Sequence, residues 1–70
     1  MNEAHKGNLV YVPSDAMLYN ADEAGVVKEV LKLSKPINLL VVGSQEKTYE
    51  VIHDGQKWLV DKSKTYEVTL

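Results

Sequence analysis

The sequence predicts an all-β fold, a small barrel of five to seven short antiparallel strands. The strongest observation is the segment 48–60, where residues of high strand propensity flank the dipeptide Asp54-Gly55. Asp-Gly is typical of a type I′ hairpin turn, because both turn positions need a positive φ. Several other short apolar segments are also separated by turn residues. So many strands in so few residues protect their edges best by closing into a barrel.

The predicted hairpin has a defined register, because a two-residue turn leaves only one way to pair its strands. Three residue pairs follow: His53 with Gln56, Val51 with Trp58 and Tyr49 with Val60. The last two pairs share one apolar face, and the opposite face is mixed. The segment is therefore predicted to be a half-buried ribbon with its apolar side toward the core.

The bounds of the N-terminal strands are inferred from strand-breaking residues and polar loops. Residues 8–12 are predicted as the first strand, which ends at Pro13 because proline cannot donate to a strand ladder. After a turn at 13–15, residues 16–19 form a second short strand. A polar loop is predicted at 20–25, where turn-forming residues stand at both ends.

Residues 26–33 fit two patterns. A helical stripe is formed by Val26, Val27, Val30 and Leu31. Strand alternation fits this segment imperfectly, but its three valines and short length favour a strand. A helix here would make the fold α+β instead.

The C-terminal half continues the strand pattern. Residues 37–42 are almost continuously apolar, which predicts a central strand covered on both faces. A turn at 43–46 leads into the hairpin, residues 61–64 are predicted as a loop or one 3-10 turn, and 65–70 alternate as the closing strand. No linker or repeat is present, so residues 1–70 are predicted to be a single domain with a flexible tail at 1–7.

Composition limits the function classes. The chain has 70 residues, no cysteine and a net charge of −2. The absence of disulfide bonds favours a reducing, cytoplasmic compartment, and the longest apolar run, 39–42, is too short to span a bilayer. All basic residues are lysines. Because arginine forks dominate guanine recognition, their absence disfavours a sequence-reading nucleic-acid protein, and it is compatible with an AT-rich genome.

No catalytic, cofactor or metal site is predicted, so we expect a protein that is not an enzyme. The glycines stand singly at turns, which excludes a phosphate-binding loop. The histidines lack metal-ligand spacing, and no serine has the context of a nucleophile elbow. Asp15 and Asp61 are interpreted as residues that cap turns.

Two patches carry a family resemblance. One is Leu18-Tyr19 followed by Asp22-Glu23, and the other runs from Trp58 to Val68. Together with the order of strands and loops, they resemble a small SH3-like barrel of the bacterial or phage type. In signalling SH3 domains, aromatic side chains at the positions of Tyr19 and Tyr66 contact a proline-rich ligand. Two further positions of that site differ, because this chain lacks the corresponding tryptophan and proline.

The expected function is a non-catalytic protein-interaction module, an accessory protein of a phage or low-GC bacterium that docks on a larger protein partner. The candidate partner-binding residues are Tyr19, Asp22, Glu23, Tyr66 and Trp58. If Tyr19 and Tyr66 converge, they frame a shallow groove with Asp22 and Glu23 at its mouth, suited to a cationic or proline-containing peptide. The apolar neighbours of Trp58 favour a core role over a binding role.

Two other functions stay open at this stage. One is weak nucleic-acid binding, with bases stacked on Tyr66 between lysines. The other is homo-oligomerisation through an exposed sheet edge, which would make the protein a structural component. A map of surface charge would distinguish the protein-interaction module from the nucleic-acid-binding protein. Acidic residues beside the aromatic side chains favour a protein partner, and lysines around them favour a nucleic acid.

Overall fold

The computed structural model describes residues 6–68, which form an all-β structure of seven antiparallel strands in one sheet. The strands are β1 (Leu9–Val12), β2 (Met17–Ala21), β3 (Val27–Lys32), β4 (Ile37–Ser44), β5 (Thr48–His53), β6 (Gln56–Asp61) and β7 (Tyr66–Glu67). A 3-10 turn at Lys62–Lys64 precedes the last strand. The predicted all-β fold and the turn before the closing strand are confirmed. No helix within the described residues is long and apolar enough to cross a membrane.

The sheet order combines local and distant pairings. From edge to edge it is β3-β2-β6-β5-β4-β1-β7. The hairpins β2–β3, β4–β5 and β5–β6 are local, whereas β2 pairs with β6 and β1 pairs with β4 and β7 across long stretches of chain. As a result, the two edge strands are β3 and β7, and both contribute to the site described below.

The predicted hairpin is confirmed in both turn and register. Asp54 and Gly55 have φ values of 52° and 75°, as a type I′ turn requires. His53 pairs with Gln56, and Val51 pairs with Trp58. Local turn chemistry is therefore sufficient to set this part of the structure.

Gly55→Ala is expected to lower the free energy of unfolding by about 1–2 kcal/mol, because an alanine is strained at the left-handed φ of 75°. A Cβ at this position would meet no atom of the described residues within 4 Å, so a steric clash does not contribute to the loss. Urea denaturation followed by Trp58 fluorescence tests this. Gly55→Asn is the control, since asparagine tolerates this conformation; equal losses in the two variants would contradict the explanation.

The core lies on the inner face of the curled sheet. Six side chains are the largest that are fully buried: Leu18, Val10, Val12, Val41, Val51 and Val60. Trp58 and Tyr49 are also buried, at 8% and 5% exposed. The expected core role of Trp58 agrees with this burial. The alternation of buried and exposed residues along each strand then fixes which side chains point outward.

The predicted boundary between the second strand and the polar loop was wrong. Asn20 and Ala21 belong to β2, so the loop begins only at Asp22. The Asp22 carboxylate accepts hydrogen bonds from the backbone N–H groups of Ala24 and Val26, at 2.9 and 3.0 Å. These bonds order the loop, whereas the strand continues through Asn20 and Ala21 because both residues pair with β3.

Residues 37–42 form a strand as predicted, but the predicted cover on both of its faces was wrong. β4 extends to Ser44, and Leu40 on its outer face is 42% exposed. The reason is that residues 6–68 form one sheet with a core on one face, so no second layer of the described residues covers the other face. A continuous apolar run therefore did not indicate two-sided burial.

The ambiguous segment is a strand, β3, and the α+β alternative is excluded by it. The predicted closing strand is shorter than expected, since β7 contains only Tyr66–Glu67 before Val68 donates a backbone hydrogen bond to Leu9. The predicted tail lies mostly outside the described residues, as does the end of the predicted closing strand. Gly7, which is described, donates its N–H to the Val41 carbonyl at 2.8 Å.

Candidate functional site

A groove of about 730 Å³ lies between the β2–β3 hairpin on one side and the 3-10 turn with β7 on the other. We call it the tyrosine groove. Its main apolar side chains are Met17, Tyr19, Val27, Val30 and Tyr66. Its charged side chains are Asp15, Asp61 and Lys64. The groove thus combines mainly apolar side chains with two carboxylates and one lysine.

Strand alternation explains the first wall. Leu18 pairs with Leu31 on the core side of the hairpin, so the neighbouring pair Tyr19 and Val30 points outward. A register shift after Asn20 brings Val27 opposite Ala21. Such an irregularity re-aims side chains. The hairpin therefore presents Tyr19, Val27 and Val30 to the groove together.

Tyr66 forms the opposite wall. It is 62% exposed, and its ring lies 6.1 Å from the ring of Tyr11 at an interplanar angle of 50°. This tilted arrangement is favourable for aromatic pairs. The pairing of β7 with β1 holds the two tyrosines side by side. Tyr66 thus contacts Tyr11, lines the groove and stays largely exposed.

Asp61 holds the hydroxyl of Tyr19. The Tyr19 hydroxyl donates to Asp61 Oδ1 at 3.3 Å, which is long for a bond of this type. Burial, followed by the charge of Asp61 and this hydrogen bond, raises the pKa of Tyr19 above 10.0. Asp61, interpreted from the sequence as a residue that caps a turn, does stand at the N-cap of the 3-10 turn. Its side chain makes no capping bond there among the described residues.

Asp61→Asn is expected to lower the pKa of Tyr19 toward its ordinary value, because the amide removes the negative charge that disfavours the tyrosinate. Titration of ¹³C-labelled tyrosine rings by NMR measures this. In the wild-type protein, the stability contributed by the raised pKa is complete below about pH 10 and is lost as the pH rises through the folded-state pKa. Asp54→Asn, at the distant hairpin turn, is the control. If the pKa of Tyr19 is unchanged in Asp61→Asn, Asp61 does not contribute to the raised pKa.

A second cavity, of about 370 Å³, lies beside the first, and we call it the acidic pocket. Its charged residues are Asp22, Glu23, Glu50 and Lys57, and Trp58 and Leu59 also line it. The two cavities adjoin because Leu59 pairs with Tyr19 across β6 and β2. Acidic side chains outnumber lysines in both.

The acidic side chains of the pocket differ in how far they are neutralised. Asp22 lies 3.5 Å from Lys28, and Glu50 lies 3.9 Å from Lys57. Glu23 has no ion-pair partner within residues 6–68. Because exposed ion pairs are weak, the pocket keeps a negative field.

The predicted site residues are thus divided between two places. Tyr19 and Tyr66 converge and line one groove, which is the arrangement that the candidate site requires. Asp22 and Glu23 line the adjoining acidic pocket rather than this groove. Trp58 is buried at the wall of the acidic pocket, and its indole Nε1 has no hydrogen-bond partner among the described residues.

Sequence reasoning missed Met17, Val27, Val30 and Asp61 as groove residues. The valines were interpreted only as residues of a helical stripe or of a strand. Their exposure, 50% for Val27 and 58% for Val30, could not be anticipated before the neighbours of β3 were known. Within the described residues, no cluster of three or more histidine and acidic side chains could hold a metal ion. Comparison with family models, curated proteins and solved structures found no match to this chain.

Proposed function

We propose that this protein is a non-catalytic interaction module that binds an extended segment of a larger protein partner in the tyrosine groove. The observation that carries the proposal is the convergence of Tyr19 and Tyr66 on one apolar groove. Exposed apolar surface with a polar rim is typical of interaction sites, and tyrosine is enriched at the energetic centres of interfaces.

The charges around the groove select the partner. Asp15 and Asp61 line the groove, and Glu23 in the adjoining pocket has no ion-pair partner within residues 6–68. A segment with apolar residues and at least one lysine or arginine is complementary to this arrangement. Electrostatic complementarity of this kind adds selectivity and speeds association. Cationic, apolar peptides are therefore the proposed ligand class.

The family assignment belongs to the same proposal. The SH3-like resemblance implies a first strand, a long loop, two middle strands, a tight hairpin, a helical turn and a last strand. The order of elements in this chain supports that assignment, with the turn at Lys62–Lys64 placed before β7. The position of Tyr19 and Tyr66 on one groove supports it as well.

The nucleic-acid alternative receives less support. Stacking of bases in a positive groove requires lysines around the exposed aromatic side chains. Lys64 lines the tyrosine groove beside Tyr66, but Asp15 and Asp61 line it too. Two carboxylates at this position repel phosphates, so a protein partner is favoured.

A display selection tests the proposed function without a known partner. A library of random 12-residue peptides is selected on immobilised wild-type protein, with the Tyr66→Ala variant used for counter-selection. We expect enriched peptides that contain lysine or arginine together with apolar residues. Their binding should weaken as salt is raised, because part of the attraction is electrostatic.

Three outcomes would oppose the proposal. The first is a selection that enriches no sequence above the unselected library. The second is enrichment of peptides that bind wild-type protein and Tyr66→Ala equally well. The third is a preference for acidic peptides, which would contradict the assigned role of the carboxylates.

A further inference from the structure

The edge strand β3 has an open backbone row. Leu33 bonds toward β2, since its N–H donates to the Ala16 carbonyl at 2.9 Å and its own carbonyl accepts from Asp15 at 3.0 Å. Alternate residues of an antiparallel strand bond to the same neighbour. The peptide groups of Val30 and Lys32 therefore face away from β2. No other strand of the described chain pairs with this side of β3.

This edge is also apolar and unusually accessible. Val26, Val27 and Val30 are 54%, 50% and 58% exposed. Exposed edges are commonly shortened, interrupted by proline or covered, because a free row of peptide groups recruits other strands. β3 has six residues without a proline. Its residues 29–32, which pair with β2 without a register shift, are thus regular enough to pair with another strand.

A second copy of this chain fits the edge poorly. In an antiparallel pair of two β3 strands centred on Val30, Lys28 of one copy lies opposite Lys32 of the other. Centring the pair on Glu29 brings two carboxylates together instead. Like charges directly opposite each other destabilise a strand pair. Centring the pair on Leu31 avoids like charges but sets Val30 opposite Lys32. None of these registers therefore gives Lys32 an acidic partner, and a different sequence complements the edge better.

The same charges define a complementary strand. A residue opposite Lys32 gains from a negative charge, and a residue opposite Val30 gains from an apolar, β-branched side chain. Lys32 is available for this, because its contact with Asp15 is long, at 3.8 Å, and both side chains are well exposed. In an antiparallel addition, the acidic residue precedes the apolar one by two positions.

We propose that β3 binds an extended segment of a partner protein by strand addition, with a β-branched residue opposite Val30 and an acidic residue opposite Lys32. This mode uses main-chain hydrogen bonds for affinity and alternate side chains for specificity. It goes beyond the proposed function, because it uses the edge of the hairpin rather than the groove between Tyr19 and Tyr66. The edge and the groove meet at Val30, whose peptide group faces the edge and whose side chain lines the groove.

The probe is the capped peptide Thr-Glu-Thr-Val-Thr-Gln, titrated into ¹⁵N-labelled wild-type protein. We expect chemical-shift changes and slowed amide exchange at Val30 and Lys32, because their N–H groups acquire partners. Methylating the backbone nitrogen of the peptide's valine should weaken binding about tenfold, since it removes a main-chain hydrogen bond. Lys32→Glu should weaken binding by a similar factor.

Two further variants complete the design. Val30→Pro removes the outward N–H, and proline is tolerated where the N–H of an edge strand faces solvent. Lys35→Glu makes the same charge change as Lys32→Glu, in the loop after β3, and should bind the peptide like wild type. A ¹⁵N spectrum of each variant verifies its fold. If Val30→Pro does not fold, the effect of Lys32→Glu on peptide affinity tests strand addition by itself.

Several results would overturn strand addition. They are the absence of any shift at Val30 and Lys32, equal binding of the methylated peptide, and shifts confined to Tyr19 and Tyr66. Protection of β3 that rises with protein concentration alone would assign the edge to self-pairing. The groove proposal is judged separately by Tyr66→Ala, which leaves the edge of β3 intact, so each proposal can fail without the other.

Discussion

Replacing Leu18 by alanine is expected to lower the free energy of unfolding by about 2–5 kcal/mol. Leu18 is fully buried in the middle of β2 and pairs with Leu31 on the core side of the hairpin. The substitution removes apolar burial and leaves a cavity that the surrounding strands fill only in part. A small domain has about 5–15 kcal/mol of stability in total, so this is a large fraction of it.

Urea denaturation followed by the fluorescence of Trp58 measures the change. Val30→Ala is the matched control, because Val30 lies on the neighbouring strand but is 58% exposed. We expect the control to change stability by less than about 1 kcal/mol. Similar losses in Leu18→Ala and Val30→Ala would show that the inner and outer faces of the hairpin have been assigned wrongly.

Tyr66→Ala is expected to weaken binding of a groove-selected peptide at least tenfold, which corresponds to about 1.4 kcal/mol. The ring of Tyr66 forms one wall of the tyrosine groove, and its contact with Tyr11 holds it in place. The free energy of unfolding should change little, because Tyr66 is 62% exposed. Fluorescence anisotropy of a labelled peptide measures the affinity.

Leu40→Ala provides the control for this substitution. Leu40 is a large apolar residue, 42% exposed, that lies on β4 outside the groove. The Leu40→Ala variant should bind the peptide with the affinity of the wild-type protein. Tyr66→Phe separates the ring from the hydroxyl and should retain most of the affinity if ring contact dominates. If Tyr66→Ala and Leu40→Ala reduce affinity equally, the binding surface is not the groove.

Local chemistry predicted much of the fold. The turn at Asp54-Gly55 needs two positive φ values, and its short length leaves one register for β5 and β6. The break at Pro13 marks the end of β1 for a similarly local reason. Burial was harder to predict, as the exposure of Leu40 demonstrates, because it depends on which layers of the molecule lie above a strand.

The site was predictable only in part. Tyr19 and Tyr66 were recognised as exposed aromatic candidates, and their convergence was stated as a condition. The separate location of Asp22 and Glu23 was not foreseen, because the loop begins later than its polar residues suggest and lies beside β6. The hydrogen bond from Tyr19 to Asp61 had no signal in the sequence.

The sequence by itself determined the strand content, the hairpin and its register, because steric limits on φ and the two-residue period of strands act over neighbouring residues. Only the tertiary structure decided which strands are edges, which valines stay exposed and which tyrosines share a groove. Those features depend on the pairings of β2 with β6 and of β1 with β7. Such pairings join distant parts of the chain, and they are selected by the burial of one common core rather than by any local pattern.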